Sequence, residues 1–173
     1  MSAYVIRRYH PGDELALARI VRAAIEGIGP RGYSPQQVIA WAGRTHSAQR
    51  YIERAGQGDS VILALDESGE PVAYSLVEPD GHVDHLYCDP AHAGNGLGKR
   101  LLAEIDVIAR ELRLPRLYTE ASELARPVFE RCGYAVLERR DFAIDGVPIH
   151  NYAMKKPMAR QEQAVTASPA TIR

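Results

Sequence analysis

The chain has 173 residues, 21 basic against 22 acidic side chains, and 46% hydrophobic residues. That length makes one domain the default, with enough apolar content for a sizeable core. The charge balance excludes broad electrostatic capture of nucleic acid while leaving room for a local basic site. Two cysteines, Cys88 and Cys132, are too few for a disulfide framework or a cysteine metal site. No apolar run is long enough to span a membrane, and no basic-then-apolar leader opens the chain, so a cytoplasmic location is expected.

Tyr4 to Tyr9 reads as a strand, and Asp13 to Gly27 as a helix with Leu15, Ala18, Ile20, Val21 and Ile25 on its apolar side. Ser34 caps a second helix, with Pro35 at its first position and Trp41 on its apolar face. Ala48 to Ala55 predicts a third. Val61 to Leu65 and Val72 to Val77 form a hairpin turned at Glu67-Ser68-Gly69-Glu70. His82 to Cys88 is the next strand. The long helix after Gly96 carries Leu97, Leu101, Leu102, Ile105, Ile108 and Leu112 on one side and stops before Pro115. Leu117 to Glu120 is a strand, Leu124 to Arg131 a short helix ended by Gly133, and two last strands flank Asp145-Gly146. Residues 157–173 hold little apolar content and are expected to be a mobile tail beyond a single domain of residues 1–156.

The most informative stretch is Asp89-Pro90-Ala91-His92-Ala93-Gly94-Asn95-Gly96-Leu97-Gly98-Lys99-Arg100, between a strand and a helix start. Alternating glycines bring bare backbone amides to a helix N-terminus, where the aligned dipole favours anions. The P-loop fails here, because Arg100 follows Gly98-Lys99 where a Ser or Thr is needed, and position 93 is Ala. The dinucleotide fingerprint fails on spacing: Gly94, Gly96 and Gly98 give G-x-G-x-G past mid-chain.

The turn does resemble the pyrophosphate loop of the GCN5-related N-acetyltransferases, (Gln/Arg)-x-x-Gly-x-(Gly/Ala). Gly96 and Gly98 stand at its glycines, and Ala93 departs from its Gln/Arg. Ser122, Ala125, Val128-Phe129, Gly133 and Tyr134 resemble the family's later Asn-x-x-Ala…Phe-Tyr-x-x-x-Gly-Phe segment, with Ser122 at the Asn and Phe129 at the Tyr. Upstream, Arg8-Tyr9-His10-Pro11-Gly12-Asp13, Tyr33-Ser34-Pro35-Gln36-Gln37 and Ala40-Trp41-Ala42 are similar to the YafP-type subgroup. The resemblance covers roughly residues 3–156. It implies an α/β (α+β) fold with a mixed, mostly antiparallel central sheet flanked by helices.

It also implies transfer of an acetyl group from acetyl-CoA directly to a primary amine in a ternary complex, without a metal. The acceptor would be a small-molecule or peptide amine; no membrane partner is expected, and a homodimer stays open. The turn residues Ala93, Gly94, Asn95, Gly96, Leu97, Gly98 and Lys99 would bind acetyl-CoA. Leu86, Tyr87 and Cys88 would offer a splayed strand edge to pantetheine, and Ser122, Phe129 and Arg131 would line the far side. One strand-edge amide would stabilise the developing oxyanion. An arriving ammonium must lose a proton, and Glu120, Asp84 and His82 are the candidate bases. Phe129 cannot donate a proton to the departing thiolate; Tyr118, Tyr134, Tyr152 and Cys132 are alternatives, and Cys88 has no stated activation as a nucleophile. Tyr33, Trp41 and Tyr152 are candidates to line the acceptor pocket. A different class also fits Ala93 and Phe129: a coenzyme A-binding sensor or interaction domain without acetyl transfer.

Overall fold

A computed structural model describes residues 4–159. In chain order the elements are β1 (Val5–Arg8), α1 (Glu14–Ile28), α2 (Pro35–Ala42), α3 (Ala48–Gly56), β2 (Ser60–Leu65), β3 (Pro71–Val77), β4 (Val83–Cys88), α4 (Leu97–Glu111), β5 (Arg116–Ala121), α5 (Arg126–Arg131), β6 (Ala135–Ile144) and β7 (Val147–Pro157). Strands β1-β2-β3-β4 form an antiparallel sheet, and β5-β7-β6 form a second one. A single parallel bridge, His82 to Tyr118, joins β4 to β5. The mixed, mostly antiparallel sheet is thus split in its middle.

Strands β2 and β3 are buried on both faces. Their apolar runs therefore do not alternate with polar residues. Ile62 and Ala64 of β2 pack with α4, whereas Val61, Leu63 and Leu65 pack with α1, α2 and α3. Local chemistry sets the element ends. Ser34 and Gln37 form a reciprocal capping box at the start of α2. Asp66 accepts from the amides of Ser68 and Glu70 and so closes the β2–β3 turn. Asp145 and Gly146, both at positive φ, make the β6–β7 turn.

Three apolar expectations shift. Leu15 is 74% exposed, and Leu17, Ile20, Val21, Ala24 and Ile25 form the buried face of α1. Leu15 lies two residues, roughly 200° of helix rotation, from Leu17 and so faces solvent. Leu112 is 51% exposed because it caps α4 rather than continuing it; Ala109 completes that face. Leu124 precedes α5, which begins at Arg126. The sheet also runs past residue 156: Pro157 pairs with Arg116, and the Met158 amide donates to the Pro115 carbonyl. The rest of the expected tail, residues 160–173, lies outside the described residues.

Leu101 is fully buried between α4 and the sheet. Leu101→Ala is expected to lower unfolding free energy by about 2–5 kcal/mol, by lost burial plus a cavity. Leu112→Ala should stay within about 0.5 kcal/mol. Urea denaturation of both variants checks this assignment of the α4 faces.

Candidate active site

At the start of α4, Gly96 is the N-cap and has φ +75°, a left-handed conformation suited to glycine. The amides of residues 94–99 meet no acceptor among the described residues, whereas the Arg100 amide returns to the Gly96 carbonyl. Six N–H groups without a partner among the described residues thus lie at or beside a helix N-terminus. A Cβ on Gly98 would lie 3.0 Å from Val128 Cγ1. Glycine there lets α4 sit against α5 and keeps the turn open.

A groove of about 450 Å³ runs from this turn along β4. Ala93, Gly94, Gly96, Leu97, Gly98 and Lys99 border one end. Leu86, Tyr87 and Cys88 form the strand wall, with Ser122 and Arg131 opposite. Two expected members fall elsewhere. The Asn95 side chain donates back to the His92 carbonyl, which fixes the turn rather than facing the groove. Phe129 is buried edge-on to Tyr134 at 4.9 Å and borders a second chamber. Ser122 Oγ accepts from the Ala125 amide, so it also organises the start of α5.

The second chamber, about 510 Å³, lies across the β4–β5 gap. The two cavities share Trp41, Leu86, Tyr87, Ser122 and Ala125. Beyond the His82–Tyr118 bridge β4 has no β5 partner, so its outer edge carries backbone groups unmatched by a neighbouring strand. Tyr33 and Trp41 border the second chamber, as expected. Tyr152 does not; its hydroxyl donates to Glu123.

All three candidate bases cluster at this gap. Glu120 Oε2 meets His82 Nε2 at 2.5 Å, and His82 Nδ1 lies 3.3 Å from Glu78. The His82 ring stacks on Tyr118 with centroids 4.9 Å apart. Burial works against a charged His82. The hydrogen bond to Glu120 and the charges of Glu120, Asp84 and Glu78 outweigh it and push the imidazole up to about 9. The same hydrogen bond holds Glu120 below the ordinary carboxylate range. Asp84 instead accepts from Arg54, which also binds Asp59 at 2.6 Å and Glu78 at 2.7 Å. Burial disfavours the Asp84 carboxylate, yet His85, Arg54 and His82 hold it low. Burial drives His85 down to about 3. At neutral pH the cations acting on Asp84 are therefore Arg54 and His82. Glu120 and Asp84 border the chamber; His82 stands behind Glu120.

Other candidates are committed elsewhere. Burial pushes the Cys88 thiol up to about 11, the opposite of activation. Tyr118 donates to Asp80, a bond that helps push its phenol up to about 12. Among the described residues His46, Asp84 and His85 bring one ligand-type atom each within 4.8 Å. Arg54 Nη1 stands 3.3 Å from His46 Nε2 and donates to Asp84, so a guanidinium already holds that place. Arg54, Arg140 and Glu123 were missed from sequence. Arg54 and Arg140 come from segments distant in the chain, and Glu123, although next to Ser122, takes its role from the remote His150 and Tyr152. Glu123 is held down to about 2 by hydrogen bonds from His150 and Tyr152, with Arg126 beside it.

A split mixed sheet, a bare-amide turn at a helix start and a channel through the split define an acyltransferase site. The chain belongs to the acetyltransferase (GNAT) family: residues 31–156 match that domain. It is similar to the uncharacterized N-acetyltransferase YafP of Escherichia coli (strain K12), 28% identical over 155 residues, 90% of this chain and 97% of that protein. The crystal structure of a GCN5-related N-acetyltransferase, "Aminotransferase, Class-II", from Rhodopseudomonas palustris matches with a TM-score of 0.80 and 30% identity, over 91% of this chain and 97% of that one. PaiA N-acetyltransferase from Thermoplasma acidophilum, solved in complex with coenzyme A, shares the fold at a TM-score of 0.71 and 14% identity, over 90% and 99%. The chain is an acyl-CoA-dependent N-acetyltransferase by family. No helix among its described residues is long and apolar enough to cross a membrane.

The His82–Glu120 pair carries a pH signature. The folded-state value of His82, about 9, lies above the unfolded one. Its stabilisation is thus fully present below about pH 6.5 and lost as pH rises through the folded value. An NMR titration of His82 should give a midpoint near 9, falling by about one unit or more in Glu120→Gln. An unchanged midpoint in Glu120→Gln would contradict the pairing.

Proposed function

We propose that the chain moves the acetyl group of acetyl-CoA directly to a primary amine while both substrates are bound. The observation that carries this reading is the meeting of the two cavities at the β4–β5 gap. The free amides of residues 94–99 suit a pyrophosphate, and Lys99 and Arg131 border the same groove. Ala93 in place of a Gln or Arg removes one side-chain contact and leaves those amides intact. Bound there, acetyl-CoA supplies the activated acyl group. Residues 1–156, with the last residues of β7, would act as one catalytic domain.

The residues of the gap divide the remaining work. An outward-facing edge amide of β4, at Leu86 or Cys88, serves as donor to the acyl oxygen as negative charge develops, since Asp89 and Tyr87 pair with β3. Glu120 faces the acceptor chamber and takes the ammonium proton, directly or through water. His82, protonated at neutral pH, orients Glu120 through their hydrogen bond. Asp84, held by Arg54, adds negative potential that attracts the ammonium. Phe129 offers no proton, and a thiol with a pKa near ~8.5 leaves tolerably unaided.

Two experiments test this reading. Gly96→Asp puts a carboxylate at the free amides, while Gly96→Asn bears a similar backbone cost without the charge. Acetyl-CoA affinity by calorimetry should fall at least about tenfold further in the aspartate variant, by like-charge repulsion. Equal affinities would remove the turn from the cofactor site. Glu120→Gln should lower amine-dependent thiol release at pH 7 about 10²-fold or more. The loss should shrink at high pH, where the amine is already neutral. A loss constant with pH would make Glu120 a positioning residue.

A further inference from the structure

The acceptor chamber has polar capacity that proton transfer does not use. Arg140, on β6, touches Glu120 only through Nη1, at 3.4 Å, and its side chain is 45% exposed. Its other guanidinium donors have no partner among the described residues. Asn151 stands opposite Arg140 in the β6–β7 ladder. Its side chain makes no hydrogen bond among the described residues, and its buried Oδ1 is unpartnered. Both residues border the acceptor chamber. Buried polar atoms are ordinarily satisfied, so Asn151 Oδ1 calls for a donor, and the exposed Arg140 beside it offers its remaining N–H groups to whatever enters the chamber.

Their position along the sheet has an order. Glu120 shares a row with Ala153 and Glu138. The next row on that face is Asn151–Arg140, and the one after it Ile149–Phe142. Successive rows on one face are about 7 Å apart. From the gap outwards the chamber therefore presents a carboxylate, then a guanidinium with a carboxamide, then an apolar wall that Trp41 and Ile144 complete.

We propose that the acceptor is an α-amino acid with an apolar side chain. This rests on the acetyl-transfer reading above. The ammonium lies against Glu120 with Asn151 Oδ1 as a further acceptor for its N–H groups, the carboxylate takes the fork of Arg140, and the side chain enters the Phe142–Ile149 wall. Glu120 and Arg140 are in ion-pair contact. Only an acceptor with its amine and its anionic group on one carbon, or nearly so, can satisfy both. A planar guanidinium suits a carboxylate in two-point geometry. A polyamine would set its second ammonium against Arg140, a like-charge contact. A lysine side chain of a peptide brings no carboxylate beside its amine.

The test compares thiol release from acetyl-CoA with leucine, methionine and phenylalanine against their decarboxylated amines, and with spermidine and a lysine peptide. The amino acids should exceed the decarboxylated amines in kcat/KM by about 10- to 100-fold, the range of a hydrogen bond to a charged group. Arg140→Ala should collapse that ratio towards one through KM, and Arg140→Lys should restore part of it. Circular dichroism and acetyl-CoA affinity report whether each variant is folded. Equal turnover of the decarboxylated amines, preferred turnover of spermidine or the peptide, or a ratio unmoved in Arg140→Ala overturns the proposal and leaves acetyl transfer standing. Release with none of these amines overturns both.

Discussion

The functional architecture depends on one interruption: the backbone pairing of β4 and β5 stops at the His82–Tyr118 bridge among the described residues. A continuous sheet would satisfy the backbone groups on both edges. Here the strands diverge, and the edge of β4 is left for another partner. The divergence is pinned rather than loose. The Tyr118 amide donates to the Gly81 carbonyl, and Thr119 Oγ1 donates to the Val83 carbonyl at 2.7 Å. Past that anchor one apolar cluster continues beneath both sheets, with Val83 on one side and Leu117, Ala121 and Met154 on the other. The core stays closed while the backbone opens above it.

Two charged assemblies flank the opening, and their partners differ in kind. Arg54 is 6% exposed and serves three carboxylates at once. A buried guanidinium with all its partners is tolerable, whereas removing one side would strand charge. This assembly ties α3 to β3 and β4 and fixes the Asp84 wall. The His82–Glu120 pair instead is a hydrogen-bonded ion pair whose carboxylate borders the second chamber. The first assembly holds shape, and the second leaves a carboxylate facing the chamber. Arg140 connects the second to the acceptor side.

Much of this was legible in the sequence, for local reasons. Ser34 with Gln37, Asp145-Gly146 and the glycine turn each encode their geometry within a few residues. The bare-amide turn and the groove it borders were legible because strand, turn and helix start are consecutive. Three candidate bases were named, and they do converge, but their ranking needed partners from elsewhere. Arg54 reaches Asp84 across 30 positions, and Glu120 reaches His82 across 38. Such separations leave no spacing signal. Leu15 and Leu112 misled for a simpler reason: hydrophobicity alone does not say which side of a helix, or which side of its last turn, a residue takes. The motif position of Phe129 implies a place beside pantetheine, and the turn of α5 sets it against the second chamber rather than the groove.

The central claim is that acetyl-CoA and the amine occupy opposite sides of the same gap at the same time. Initial-velocity kinetics test it most directly, with acetyl-CoA varied at several fixed concentrations of an accepted amine. A family of double-reciprocal lines that intersect is the predicted result, since both substrates must be bound before transfer. Parallel lines would report a ping-pong reaction through an acetylated protein group, and would contradict the account.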